Sequence, residues 1–253
     1  MKHTLTVMRY NLSDSLRPTA IFFSIYTTFV LLNALLSYLI PGGNTVGSDM
    51  AILIFLFVCG VVGFRYNFFF AMANNISRRD FFLGTALSGV LPSFLSAAVM
   101  IVINRLISLF YPMPTLYTLC FERERLVFGP DGVAIVAQSA GKEALTLLMS
   151  FLFLAVLGFS IYLVGFFIST LFYRMNKLLR MTLWIIPWLL VVLITLLWPT
   201  LPQSFTGGLT RFFAAILGIT SHSAWPPMGT AMAVALLLTL CGWLLTRRAV
   251  LKK

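Results

Sequence analysis

Six apolar stretches, each long enough to cross a lipid bilayer, run through this 253-residue chain, near 18–40, 50–73, 82–111, 144–172, 181–199 and 227–246. Crossing roughly 30 Å of hydrocarbon takes about 20 residues of helix, because a backbone in lipid must pair every N–H and C=O within its own segment. The third and fourth stretches exceed one crossing and so must tilt or project beyond the lipid. Composition agrees, with 60% of residues apolar, 10% charged and a mean hydropathy of +0.96, values foreign to soluble domains. The expected fold is all-α, one polytopic membrane domain over 1–253. No internal repeat, low-complexity tract or soluble domain interrupts it, and the inverted repeat of many secondary carriers is not apparent. Residues 1–17 carry Lys2, Arg9, Asp14 and Arg17 without an apolar core, so no cleavable signal peptide is expected and the N-terminus should be retained.

Orientation follows from the basic residues, which favour the cytoplasmic side of short loops. With the N-terminus inside, Lys2, Arg9, Arg17, Arg78, Arg79, Arg174, Lys177, Arg180, Arg247, Arg248, Lys252 and Lys253 are cytoplasmic, and only Arg123, Arg125, Lys142 and Arg211 lie outside. Both termini are therefore expected in the cytoplasm. The net charge of +11 is explained by this topology and by anionic lipid at the inner leaflet, not by nucleic acid.

Between the spans, the chain carries further signals. Met1, Leu5, Met8, Leu12 and Leu16 share a narrow arc at 100° per residue, the pattern of an amphipathic helix lying in the inner interface. Pro18 is expected to end that helix and start the first span. The outer connection at 112–143 is long; Tyr117–Phe128, the turn Gly129-Pro-Asp-Gly132 and Val133–Val136 read as two short strands around a turn. Leu209–Leu217, set off by Gly207-Gly208 and Gly218, is too short to span and reads as a short external helix between spans five and six.

Chemistry of the chain's own is hard to find. Ala140-Gly141-Lys142 approximates a phosphate loop, but Glu143 replaces the magnesium-binding hydroxyl and Val136 the leading glycine. His3 and His222 stand alone, and Cys59, Cys120 and Cys241 are scattered, so neither a metal site nor a disulfide framework is indicated. Every Asp and Glu reads as lying at a loop or interface, which disfavours both an intramembrane hydrolase and an ion-coupled carrier with a buried acid. Backbone carbonyls at a helix break near Gly60-Val-Val-Gly63 or Pro92 are the remaining route to a carrier.

After span two comes Asn74-Asn75-Ile76-Ser77-Arg78-Arg79-Asp80-Phe81-Phe82, a short polar, dibasic insert where a cytoplasmic turn belongs. With the N-terminal amphipathic segment, the external helix and the basic tail Leu245–Lys253, this layout resembles the six-span permease subunits of type 2 ABC exporters. Bacterial members carry a similar Gly/Asn-x-Ser-Arg-Lys/Arg-x-Phe-Phe segment there. The resemblance implies that residues 74–82 form a coupling helix seated in a groove of a separate ATPase subunit. Arg78, Arg79 and Asp80 would then pair across a polar interface while Ile76, Phe81 and Phe82 anchor to the bundle. Arg174, Lys177 and Arg180, between spans four and five, are the second expected contact.

What the resemblance implies is a non-enzymatic chain in the bacterial cytoplasmic membrane, binding no cofactor itself. It would work as two permease copies, identical or related, with two ATP-binding subunits that hold ATP and magnesium. The implied cargo is an amphipathic, antimicrobial or toxin peptide, or else a lipid or drug. An ion-coupled secondary carrier and a non-transporting membrane sensor or scaffold are the alternatives. Arg65 and Arg105 are the basic residues nearest the membrane interior and so the candidates for a translocation path. Arg105 at the outer end of span three favours snorkelling. Arg65 reaches the inner interface if span two begins near Gly47, or faces the bundle if it begins near Ala51. The 24 phenylalanines either line a path for amphipathic cargo or simply fill the core.

Overall fold

The computed structural model describes residues 2–39, 49–108, 114–129, 132–136, 139–197 and 202–247. Its helices are α1 (Lys2–Leu39), α2 (Asp49–Val62), α3 (Arg65–Ala73), α4 (Arg78–Ser88), α5 (Val90–Ile107), α6 (Leu116–Phe121), α7 (Ala140–Arg174), α8 (Lys177–Leu197), α9 (Gln203–Ile216) and α10 (Trp225–Arg247). Taken as continuous runs, α1, α2 with α3, α4 with α5, α7, α8 and α10 are six helical segments long and apolar enough to span a membrane.

Helix α7 is the axis of the bundle, with α2, α5 and α10 packed along it. The α2–α7 approach depends on two glycines. A Cβ on Gly60 would sit 2.2 Å from the Tyr162 carbonyl oxygen, and one on Gly165 would sit 2.4 Å from that of Phe57. Removing side chains there lets two backbones touch, which is how helices gain packing energy in a medium as apolar as their own surfaces. Phenylalanine fills the core: Phe64, Phe68, Phe81, Phe82 and Phe166 are all within 1% of full burial.

Spans two and three each carry a short irregularity at which Phe64 and Gly89 keep right-handed helical dihedrals. Helix α2 yields to α3 at Gly63-Phe64, within reach of the expected Gly60–Gly63 weak point, and α4 yields to α5 at Gly89. Pro92 lies inside α5, one turn past that irregularity. Span three begins at Arg78, four residues before the expected 82, because Ser77 caps the helix there.

Several expectations need correction. Pro18 does not end the first helix; α1 runs unbroken through it. Proline frees only the carbonyl four residues back, that of Asp14, and one such lost bond is tolerated within a membrane helix. On the expected apolar arc Leu5 and Leu16 are 64% and 54% exposed while Met8 and Leu12 are half-buried, and α1 meets the bundle on another side through Val7 and Asn11. In the long connection Leu116–Phe121 is helical, not extended, although Leu126–Gly129 (β1) and Gly132–Ile135 (β2) do form an antiparallel hairpin pairing Leu126 with Ile135. Helix α9 starts at Gln203, so Gly207 and Gly208 lie within it and do not delimit it. Its Phe205, Leu209, Phe212, Phe213 and Ile216 recur at helical spacing on one side.

Candidate functional site

Residues 74–82 form a tight reversal, not a separate helix. Asn74 caps the C-terminus of α3 and Asn75 adopts φ 55°, a left-handed conformation asparagine reaches more easily than most L residues. The Ile76 N–H bonds the Ala71 carbonyl at 3.0 Å, closing the turn. Ser77 then starts α4: its Oγ accepts the Asp80 N–H at 3.1 Å and donates to Asp80 Oδ2 at 2.7 Å, a reciprocal cap.

Asp80 is fully engaged, since its Oδ1 also accepts from Thr4 Oγ1 at 2.5 Å. It ties α1 to α4. Gly84 one turn on makes that crossing possible, for a Cβ there would lie 2.9 Å from the Thr4 carbonyl oxygen.

The cations fall at one end of the bundle. Arg78 Nη1 donates to the Arg247 carbonyl at 3.0 Å and Arg174 Nη1 to the Leu245 carbonyl at 3.3 Å. Both satisfy the last carbonyls of α10, where positive charge is favoured. Arg180 Nη2 likewise donates to Phe172 near the end of α7, at 2.9 Å. Arg79 is exposed and bonds to no protein group among the described residues. The Lys177 side chain lies outside the described residues.

Behind this edge the segment is anchored. Phe81 packs against Phe64 and Phe68 at centroid distances of 5.7 and 5.3 Å. Phe82 meets Phe166 of α7 at 5.1 Å and Trp243 of α10 at 5.6 Å, and Ile76 packs on the same cluster. The expected anchoring by Ile76, Phe81 and Phe82 is thus what the geometry contains.

A buried polar chain runs deeper into the bundle from there. Asn67 Nδ2 donates to Asn11 Oδ1 at 3.0 Å, and Asn11 Nδ2 to Thr85 Oγ1 at 3.0 Å. Tyr162 and Ser88 both donate to the Thr85 carbonyl, at 2.9 and 2.7 Å. Asn11 and Asn67 line two cavities, of about 330 Å³ towards Asn74 and about 200 Å³ towards Gly63 and Pro92. Sequence reasoning passed over this network; an asparagine inside an otherwise apolar stretch was the available signal.

At the opposite end lies a cavity of about 940 Å³ with an apolar floor including Leu53, Phe153 and Leu157 and a rim of Glu122, Arg123, Glu124, Arg125 and Lys142. Glu122 and Arg125 pair at 2.5 Å, and Thr146 Oγ1 donates to Glu122 Oε1 at 2.7 Å. Partial burial pushes the Cys120 thiol on this wall above its ordinary value. Arg105 pairs with Glu143 at 2.5 Å, with side chains 53% and 36% exposed, so its expected reach to the interface ends on an acid. The Arg65 side chain lies outside the described residues; its backbone opens α3.

Asp49 opens α2, at a loop end as expected, yet it is buried. It is 3% exposed, because α6 folds over the start of α2 and the Leu116 N–H donates to Asp49 Oδ2 at 2.5 Å.

No protein family, curated protein or solved structure matches the chain. What the six apolar helices define is a class, the multi-pass membrane proteins.

Proposed function

We propose that this chain is the membrane subunit of an ATP-driven ABC exporter. Two copies, or two related ones, would join two ATP-binding subunits in the bacterial cytoplasmic membrane, with both termini inside. The observation that carries this reading is the fixed geometry of residues 74–82: an exposed Arg78-Arg79 edge on a capped helix start, joined directly to the buried Phe81-Phe82 pair. A push on that edge is delivered to α3, α7 and α10 through aromatic contacts, the property a coupling element needs. In this reading Leu5 and Leu16 of α1 and the apolar side of α9 lie in interfacial lipid. The large cavity, apolar below and charged at its rim, suits an amphipathic peptide or lipid-like cargo.

Arg79 gives the cleanest test, since Arg78 also holds the end of α10. Arg79→Glu should leave the melting temperature unchanged and reduce co-purification of the ATPase at least about tenfold, a loss of one charge-assisted contact. Arg247→Glu, an exposed basic residue at the same end but outside both expected contacts, serves as control. Equal losses from both would reduce the effect to general electrostatics, and no loss from Arg79→Glu would end the coupling role.

One observation favours a second reading, an ion-coupled carrier: the buried Asp49, in a span with an irregularity at Gly63-Phe64. Transport that follows a sodium or proton gradient in vesicles lacking ATP would replace the first reading with this one.

A further inference from the structure

Asp49 sits where four elements meet, and its surroundings are incomplete. One oxygen, Oδ2, takes the Leu116 N–H; the other, Oδ1, is buried with no protein partner among the described residues. Asn104 of α5, 5% exposed, has both its amide oxygen and its amide nitrogen buried and unpartnered among the described residues. These side chains line one small cavity of about 10 Å³, together with Thr115 and Ser150. That volume holds about one water-sized sphere.

The charge balance is equally specific. No Lys or Arg pairs with Asp49 among the described residues, and residues 40–48, which precede it in the chain, contain none. A buried carboxylate with one N–H donor and the start of its own helix for support is undercompensated, and such a group calls for a counter-charge. The remaining lining groups are neutral oxygens. Thr115 Oγ1 lies 3.3 Å from Ser150 Oγ and 2.9 Å from Thr118 Oγ1, so the two lining hydroxyls belong to a network that fixes their orientation. One carboxylate with neutral amide and hydroxyl oxygens is a hard donor set carrying a single negative charge. It neutralises a monovalent ion and leaves a divalent one in excess.

We propose that Asp49, Asn104, Thr115 and Ser150 form a sodium-binding site that locks α2, α5, α7 and the segment before α6 together. Leu116 and Phe153 line both this site and the 940 Å³ cavity, so the ion lies directly behind the wall of the larger space. The site stands apart from the exporter reading. It is tested by ion binding to the chain alone, whereas that reading is tested by ATPase association.

The experiment is thermal unfolding of the purified full chain in a zwitterionic detergent, with sodium chloride replaced by choline chloride at constant ionic strength. Sodium at about ten times its dissociation constant should raise the melting temperature by roughly 3 °C or more, saturably. Asp49→Asn keeps an acceptor for the Leu116 N–H and removes the charge. It should melt no lower than the native chain in choline and should lose the sodium-dependent shift. Asn104→Ala should raise the half-saturating sodium concentration at least about tenfold, and it decides the matter if Asp49→Asn is not recovered folded. A native chain indifferent to sodium, or an equal sodium shift in the native chain and Asp49→Asn, would overturn the proposal.

Discussion

Helices α7 and α8 follow one another in the chain and are both strongly apolar, yet half of the most apolar part of α7 is buried while none of the corresponding part of α8 is. Hydrophobicity does not separate them. What does is the supply of small and hydroxylic residues: α7 carries Gly158, Gly165, Ser150, Ser160, Ser169 and Thr170 on its packed sides. Helix α8 offers Leu, Ile, Val and Trp almost throughout. In lipid, apolar surface gains nothing by meeting more apolar surface, so helices associate where backbones can close in and polar groups can bond. Which helix is buried is accordingly decided by the small residues that admit close approach, and the large rings then fill the space between.

The sharpest way to break that comparison is to add one methyl group. Gly60→Ala places a Cβ where backbone of α7 already stands, and no side-chain rotation relieves it. The expected cost is about 3 kcal/mol or more, the upper end for overpacking of a core because the obstacle is backbone, seen as loss of monodisperse protein on size exclusion. Gly207→Ala in α9, where nothing lies within 4 Å, should instead stabilise by roughly 0.5 kcal/mol through helix propensity. If the two substitutions behaved alike, close approach would not be what holds α2 to α7.

A smaller effect is expected from large-to-small change on the same axis. Phe166→Ala removes a ring 1% exposed that lies between Phe64 and Phe82, at 5.8 and 5.1 Å. The reference state in lipid is apolar too, so most of the transfer term drops out and the cavity term remains, about 2 kcal/mol. Reversible unfolding in mixed micelles measures it. A cost near zero would mean the aromatic cluster is filler that repacks freely, and the transmission of force through Phe82 would lose its physical path.

How much of this was legible beforehand divides along range of interaction. The six spans were, because twenty apolar residues in a row have one low-energy solution in a bilayer. So was the short helix before α10, although its bounds were misplaced because Gly207 and Gly208 cost too little to stop a helix with a strong apolar side. Pro18 misled for the opposite reason: a strong local breaker removes a single backbone bond, and the rest of a 38-residue helix outlasts that loss. The segment at 74–82 was visible as a motif and Phe81 and Phe82 as its anchors, but not the commitment of Asp80 to Thr4, 76 residues away in the chain. Asp49 was hidden for the same reason. By position it stands at a helix start, and only the return of Leu116 over it, 67 residues later, makes it a buried charge.

The smallest effect belongs to α8, and it is the most informative about assembly. Leu189, 59% exposed, and Leu193, 46% exposed, lie one turn apart on one side; Leu190 and Ile194, 47% and 52% exposed, lie one turn apart on the next. Alanine at any of the four should change protomer melting by less than about 0.5 kcal/mol, since no packed neighbour is lost. If lipid surrounds α8, the two sides remain equivalent in every assay, including mass measurement of the detergent-solubilised complex. Loss of a two-copy species from substitutions on one side alone would show that a second copy covers that side. The absence of small residues would then no longer distinguish α8 from α7, and the rule drawn from their comparison would hold only within a protomer.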